Sequence, residues 1–260
     1  FIDIMILKIK KSILFYFFTF FLIATESMAQ LVVEKRALSK ANIIKKFKHD
    51  PSAFTQGLVY QNDHFFESTG GWGSSEIRKI NKHTGKVINF NKLQSKYFGE
   101  GITIYDNKIF QVTWKSNKGF VYDIKNLKLL DDFNIYGQGW GLTNDGKSLI
   151  LSDGSEKIYY LNPKNFEIEK TISVSVNGNK LIYINELEFI RGEIWANIWK
   201  SNDIITVNPL SGIVTSIFDI SKISEQTEIE DVANGIAWDK VNDKIFITGK
   251  NWNFIYLLDI

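Results

Sequence analysis

One carboxylate, one ammonium and three indoles stand at matching points of a repeating pattern: Glu100, Lys250, Trp114, Trp140 and Trp199. An apolar wall raises the pKa of a carboxylate and a neighbouring lysine lowers it. A glutamate held between the two therefore exchanges protons near neutral pH. Flat indole walls suit a planar, uncharged group such as a carboxamide. Each residue alone has a plainer explanation. Tryptophans in β-rich repeats pack, a lone lysine is usually solvated, and a glutamate between glycine-flanked turns hydrogen-bonds backbone N–H groups. The joint pattern is what points to a site.

The elements that carry these residues repeat. Five segments echo one another: QGLVYQNDHFFESTG from Gln56, EGITIYDNKIFQVTW from Glu100, WGLTNDGKSLILSDG from Trp140, ELEFIRGEIWANIW from Glu186 and NGIAWDKVNDKIFITGK from Asn234. Aligned on Gly57, Gly101, Gly141, Leu187 and Gly235, they lie 44, 40, 46 and 48 residues apart, the spacing of propeller blades. Each opens as a hairpin, two short apolar strands about a turn such as Asn62-Asp63 or Asp106-Asn107. Two more strands follow, as in SEIRKINKHTGKVINFNKL and DIITVNPLSGIVTSIFDI.

The fifth unit stops after three strands, at FIYLLDI, and Ile43 to His49 (IIKKFKH) supplies the missing outer strand. Pairing the two closes the ring and removes both free edges. The expectation is an all-β, five-bladed β-propeller of four-stranded antiparallel blades over 41–260, its N-terminal strand closing the last blade, after a lead-in segment at 30–40. Helix signals are weak; a short helical turn is expected only within Ile220 to Asp231.

The start of a hairpin's first strand and the end of its second share one edge. Carried around a propeller, these positions make two rings at one mouth. The first reads Gln56, Glu100, Trp140, Glu186 (with Asn185) and Asn234, and the second reads Gly70, Trp114, Gly154, Trp199 and Lys250. Structural repeats carry one residue type at equivalent places. These rings vary in polar and aromatic type while the apolar positions around them repeat, which marks a site.

Composition narrows the function. The 260 residues, 44% hydrophobic, suffice for one large core. A net charge of +2, with both signs spread along the chain, gives no footing for nucleic acid. With no cysteine there is no thiol nucleophile, disulfide or thiolate metal site. Only His49, His64 and His83 could offer imidazole, and none falls in the rings or has ligand spacing, so no catalytic metal is expected. Carboxylates leave a structural calcium ion open. Residues 1–29 read as a signal peptide: Lys8, Lys10 and Lys11 precede an apolar run of fourteen, Ser12 to Thr25, and small residues at Ser27 and Ala29 frame a cleavage site. Export to a periplasm or the exterior is expected, with membrane contact only through this segment and a monomer as the mature form.

The string FTQGL, followed by ESTG, FGEG, VTWK, GWGL, SDG, NELE, NIWK, NGIA and TGK, resembles the plant and bacterial glutaminyl cyclase family in order and spacing from about His49 to Lys250. The stretch Ser224 to Val232 departs from the family and bears on loop shape only. The resemblance implies a five-bladed propeller without catalytic zinc that converts N-terminal glutaminyl residues of peptides or proteins to pyroglutamyl residues and releases ammonia. It also implies a site made of Phe54, Gln56, Glu100, Trp114, Trp140, Asn185, Trp199 and Lys250. Glu100 would move protons, Lys250 with Asn185 or Gln56 would stabilise an oxyanion, and the aromatic residues would hold the substrate. Two other readings remain: a non-catalytic propeller that cradles a peptide or sugar, and a metal-dependent propeller hydrolase of the lactonase kind.

Overall fold

The computed structural model describes residues 32–223 and 232–260. The expected signal peptide, and residues 224–231 of both the expected helical turn and the divergent stretch, lie outside the described residues.

Blade one is β3 (Thr55–Gln61), β4 (His64–Thr69), β5 (Glu76–Asn81) and β6 (Val87–Lys92), and blade two is β7 (Gly99–Tyr105), β8 (Lys108–Thr113), β9 (Lys118–Asp123) and β10 (Leu129–Asn134). Blade three is β11 (Leu142–Asn144), β12 (Leu149–Ser152), β13 (Lys157–Leu161) and β14 (Ile168–Ser173), followed by a small ribbon of β15 (Ser175–Val176) and β16 (Asn179–Lys180). Blade four is β17 (Ile184–Ile190), β18 (Glu193–Ile198), β19 (Asp203–Val207) and β20 (Val214–Asp219). Blade five is β21 (Ala233–Asp239), β22 (Lys244–Gly249) and β23 (Phe254–Leu258), completed by the N-terminal β2 (Ile43–Lys48). The remaining strand, β1 (Lys35–Ala37), adds in parallel to the outer edge of blade four. Among the described residues the only helical element is a 3-10 turn at Lys40–Asn42.

The hairpins form where the sequence carries Asn and Asp because their central residues need a left-handed backbone. Asn62 and Asp63 have φ of 49° and 59°, and Asp106 and Asn107 have 48° and 57°. Innermost strands are buried along almost their whole length, as in TQGLVYQ of β3, while outermost strands such as β6 are mostly exposed. Five apolar clusters fill the gaps, each shared by two neighbouring blades. Val59, Phe66 and Ile77 of blade one meet Ile102, Ile109 and Tyr122 of blade two. At the closing seam Tyr60 and Phe65 of blade one interleave with Phe47, Phe246 and Ile255 of blade five. Phe65 and Phe246 cross edge to face at 5.1 Å. Truncating Phe246 would remove on the order of 3–5 kcal/mol at this seam.

Glycine lets the inner strands approach. A Cβ on Gly101 would stand 2.4 Å from the Leu142 backbone nitrogen of the next blade. The fourth blade corrects the repeat alignment at this point. β17 carries the same bulge as β3 and β7, and Leu187 pairs with Ala196 as Leu58 pairs with Glu67 and Ile102 with Gln111. Glu186, not Leu187, therefore occupies the glycine position, and Asn185 alone takes the first ring. Blade four has no glycine here to mark the register, so the repeat alone places Leu187 one residue off. The Glu186 carboxylate turns inward and accepts the N–H groups of Leu58 at 3.3 Å and Ile236 at 2.9 Å, tying blade four to blades one and five.

Candidate active site

At the mouth where inner strands begin, nine side chains line one pocket of about 210 Å³: Phe54, Gln56, Phe98, Glu100, Trp114, Trp140, Asn185, Trp199 and Lys250. The eight residues selected from the sequence all fall in it. Phe98 is the addition. It stands two residues before Glu100 as Phe54 stands before Gln56, and this shared F-x-[QE]-G spacing was the signal that could have found it. Glu186, which the register moves out of the first ring, and Asn234 do not line the pocket.

The polar floor is a chain of amides. Gln56 Nε2 donates to Glu100 Oε1 at 2.8 Å, and Asn234 Nδ2 donates to Gln56 Oε1 at 3.0 Å and to the Thr55 carbonyl at 2.9 Å. Glu100, Gln56, Asn185 and Lys250 are all buried. Burial pushes the Glu100 carboxyl well above the usual carboxylate range, against the pull of Lys250 and the Gln56 hydrogen bond. Burial likewise lowers the Lys250 ammonium, and Glu100 holds it up. The Lys250 Nζ lies 4.7 Å from the centre of the Phe54 ring. Asn185 Oδ1 is buried and has no hydrogen-bond partner.

The aromatic walls are fixed by a residue the sequence reading passed over. Gln138 Oε1 accepts the indole N–H of Trp114 at 2.7 Å and of Trp140 at 3.1 Å. It occupies the blade-three counterpart of Phe54 and Phe98, and a lone glutamine amid glycines gave no cue. Trp140 and Trp199 meet edge to face at 5.5 Å, and Phe98 meets Trp114 at 5.6 Å. Gly154 is required beside Trp140. Its φ is +83°, and a Cβ there would stand 2.6 Å from the indole.

Behind the mouth lies a second buried network. His49 Nδ1 is 2.7 Å from the Trp252 carbonyl and Nε2 is 2.8 Å from Glu67 Oε1. Two acceptors on one ring call for the doubly protonated imidazolium. Thr55 Oγ1 donates to the same Glu67 oxygen at 2.7 Å. This network joins β3, which carries Gln56, to the turn after Lys250. At the opposite mouth, Glu188 accepts from Thr143 Oγ1 at 3.1 Å, and burial pushes its carboxyl up to about 8. Among the described residues, no group of three or more His, Asp or Glu side chains gathers as around a metal ion.

An arrangement of one proton-exchanging carboxylate, one cation and flat walls can hold a planar amide and move a proton beside it. The known proteins it is similar to agree in kind. A protein of Arabidopsis thaliana named glutaminyl-peptide cyclotransferase is 38% identical over 261 residues, which covers 98% of this chain and 82% of that protein. The crystal structure of Myxococcus xanthus glutaminyl cyclase superposes with a TM-score of 0.81 at 30% identity, covering 88% of this chain and 97% of that one. A Bacteroides caccae protein of unknown function, at 14% identity and a TM-score of 0.52, shares the fold alone, over 73% of this chain and 82% of its own. With the glutamine cyclotransferase family model matching residues 16–260, the chain belongs to the glutamine cyclotransferase family.

Proposed function

We propose that this pocket closes an N-terminal glutaminyl residue of a peptide or protein into pyroglutamyl with release of ammonia. The observation that carries the reading is Glu100, buried beside Lys250 and inside an indole-walled pocket with room for one residue. The substrate's α-amine attacks its own side-chain amide carbon. One N–C bond forms, the bond to the amide nitrogen breaks, and one proton passes from the amine through Glu100 to the nitrogen that leaves as ammonia. Holding the side chain curled over the amine turns lost rotamer freedom into a near-attack geometry, the task assigned to Trp114, Trp140, Trp199, Phe54 and Phe98. Lys250 faces the developing oxyanion. With the Gln56 amide committed to Glu100, the unpartnered Asn185 Oδ1 supports a role in accepting a substrate amide N–H.

The same reading has the reaction proceed without metal. The pocket lining offers a single carboxylate and no imidazole, a poor donor set for zinc. Export as a monomer through the segment 1–29 belongs to this reading too; N-terminal sequencing and light scattering of the protein from its native host test both. The deciding experiment measures ammonia from a short peptide with N-terminal glutamine after treatment with a strong chelator. Release that survives chelation is expected. Release abolished by the chelator and restored by a metal would overturn the mechanism.

A further inference from the structure

The pocket admits one residue, so the rest of a peptide must leave through the mouth, and the reaction fixes where. The α-amine has to reach Glu100, and the α-carbon is one bond from that amine. The carbonyl that leads to the second residue therefore departs on the Glu100 side, over Phe98 and Trp114 of blade two.

Immediately outside those two walls stands Trp72, on the turn between β4 and β5. Its ring centre is 5.7 Å from Phe98 and 6.4 Å from Trp114, and the residue is 55% exposed. A single exposed apolar side chain is ordinary on a protein surface. This one is built in. The Gly71 carbonyl accepts the N–H groups of Ser74 at 3.2 Å and Ser75 at 3.0 Å and the Ser75 hydroxyl at 2.7 Å. Ser75 Oγ in turn accepts the N–H of Gly99 at 2.9 Å, one residue before Glu100. The turn that presents Trp72 is thus bonded to the strand that presents Glu100, and the spacing between the two is set. On the far side of the mouth Tyr183 is also half exposed, but it packs on Trp199 at 5.6 Å, away from Glu100.

We propose that Trp72 is the platform for the residue that follows the glutamine, selecting planar or apolar side chains at that position. The proposal rests on the cyclase reading with Glu100 as the proton acceptor. An exposed indole face stacks on an aromatic second residue and has nothing to stack on when that residue is glycine.

The test compares ammonia release from Gln-Phe-NH2 and Gln-Gly-NH2 by the full chain. The wild type favours the phenylalanine peptide in kcat/KM by about fivefold to tenfold, mainly through KM. In Trp72→Ala this ratio falls to about one, and in Trp72→Phe most of it returns. Because the ratio is taken within each variant, a smaller folded fraction does not alter it. A ratio that stays the same in Trp72→Ala, with ammonia still released, overturns the platform and leaves the cyclase reading standing. No ammonia from either peptide with the wild type removes the cyclase reading and the platform with it.

Discussion

Gln56 stands between Asn234 and Glu100, and its amide is oriented by the first to donate to the second: Asn234 Nδ2 to Gln56 Oε1 is 3.0 Å, and Gln56 Nε2 to Glu100 Oε1 is 2.8 Å. One carboxylate oxygen is thereby held, and in the proposed mechanism the other exchanges a proton with substrate. Glu100→Gln keeps the shape and removes the exchange. Its kcat should fall by about 10²–10⁴ while KM moves only a few-fold. Steady-state ammonia release checks this, and an undiminished kcat would sink the assignment of Glu100.

In the proposed mechanism Lys250 affects both the oxyanion and the carboxylate. Lys250→Met should lower kcat by roughly 10²–10³. It should also move the acid limb of the kcat–pH profile to higher pH, because the charge that pulls Glu100 down against its burial is gone. A fall in kcat with an unmoved acid limb would mean that the two groups do not sense each other.

Glu188, at the opposite mouth, makes stability depend on pH. Burial raises its folded value to about 8. A carboxyl held more tightly as the neutral acid in the folded chain contributes fully below its unfolded value near 4.3, and that contribution is lost as pH rises toward the folded value. Between pH 5 and 7 the loss is about 2–3 kcal/mol. Glu188→Gln should flatten this slope and melt higher than the wild type at pH 7. Parallel melting curves across pH 5–8 would argue that Glu188 ionises freely.

His49 has a dependence of the same sign, from the charged rather than the neutral form. Burial opposes its charge, but Glu67 and the Trp252 carbonyl outweigh it, and its pKa is raised above 6.5. A raised imidazolium stabilises fully below the unfolded value and ceases to do so as pH climbs through the folded one. His49→Gln should cost on the order of 3 kcal/mol at pH 6, and the difference from wild type should shrink by pH 9. Chemical denaturation at both pH values measures it.

Much of this molecule is legible in its sequence, for a physical reason. Turns that need a left-handed backbone demand Asn, Asp or Gly, so the hairpins announce themselves at Asn62-Asp63 and Asp106-Asn107. The residues facing the mouth differ between blades while their neighbours do not, which exposes Glu100, Trp114 and Lys250. What was hidden acts through contact rather than pattern. Gln138 matters because two indoles converge on it, Trp72 because its turn is bonded to Gly99, and His49 because the seam buries it against Glu67. Glu186 was misread by one position because blade four lacks the glycine that marks the register in the other four.

The seam also sets a schedule for folding. Blade five needs β2 alongside β23, and His49 meets the Trp252 carbonyl across 203 residues of chain. At about 5–20 residues per second, a ribosome takes roughly 10–40 s to span that interval. Throughout it Phe47, Tyr60 and Phe65 have no partners from Phe246 and Ile255, and the first blade waits with one face uncovered. Such long-range pairing is slow and aggregation-exposed. The last gap in the ring can therefore close only after synthesis has passed Leu258, which leaves a newborn chain dependent on whatever shields that face until then.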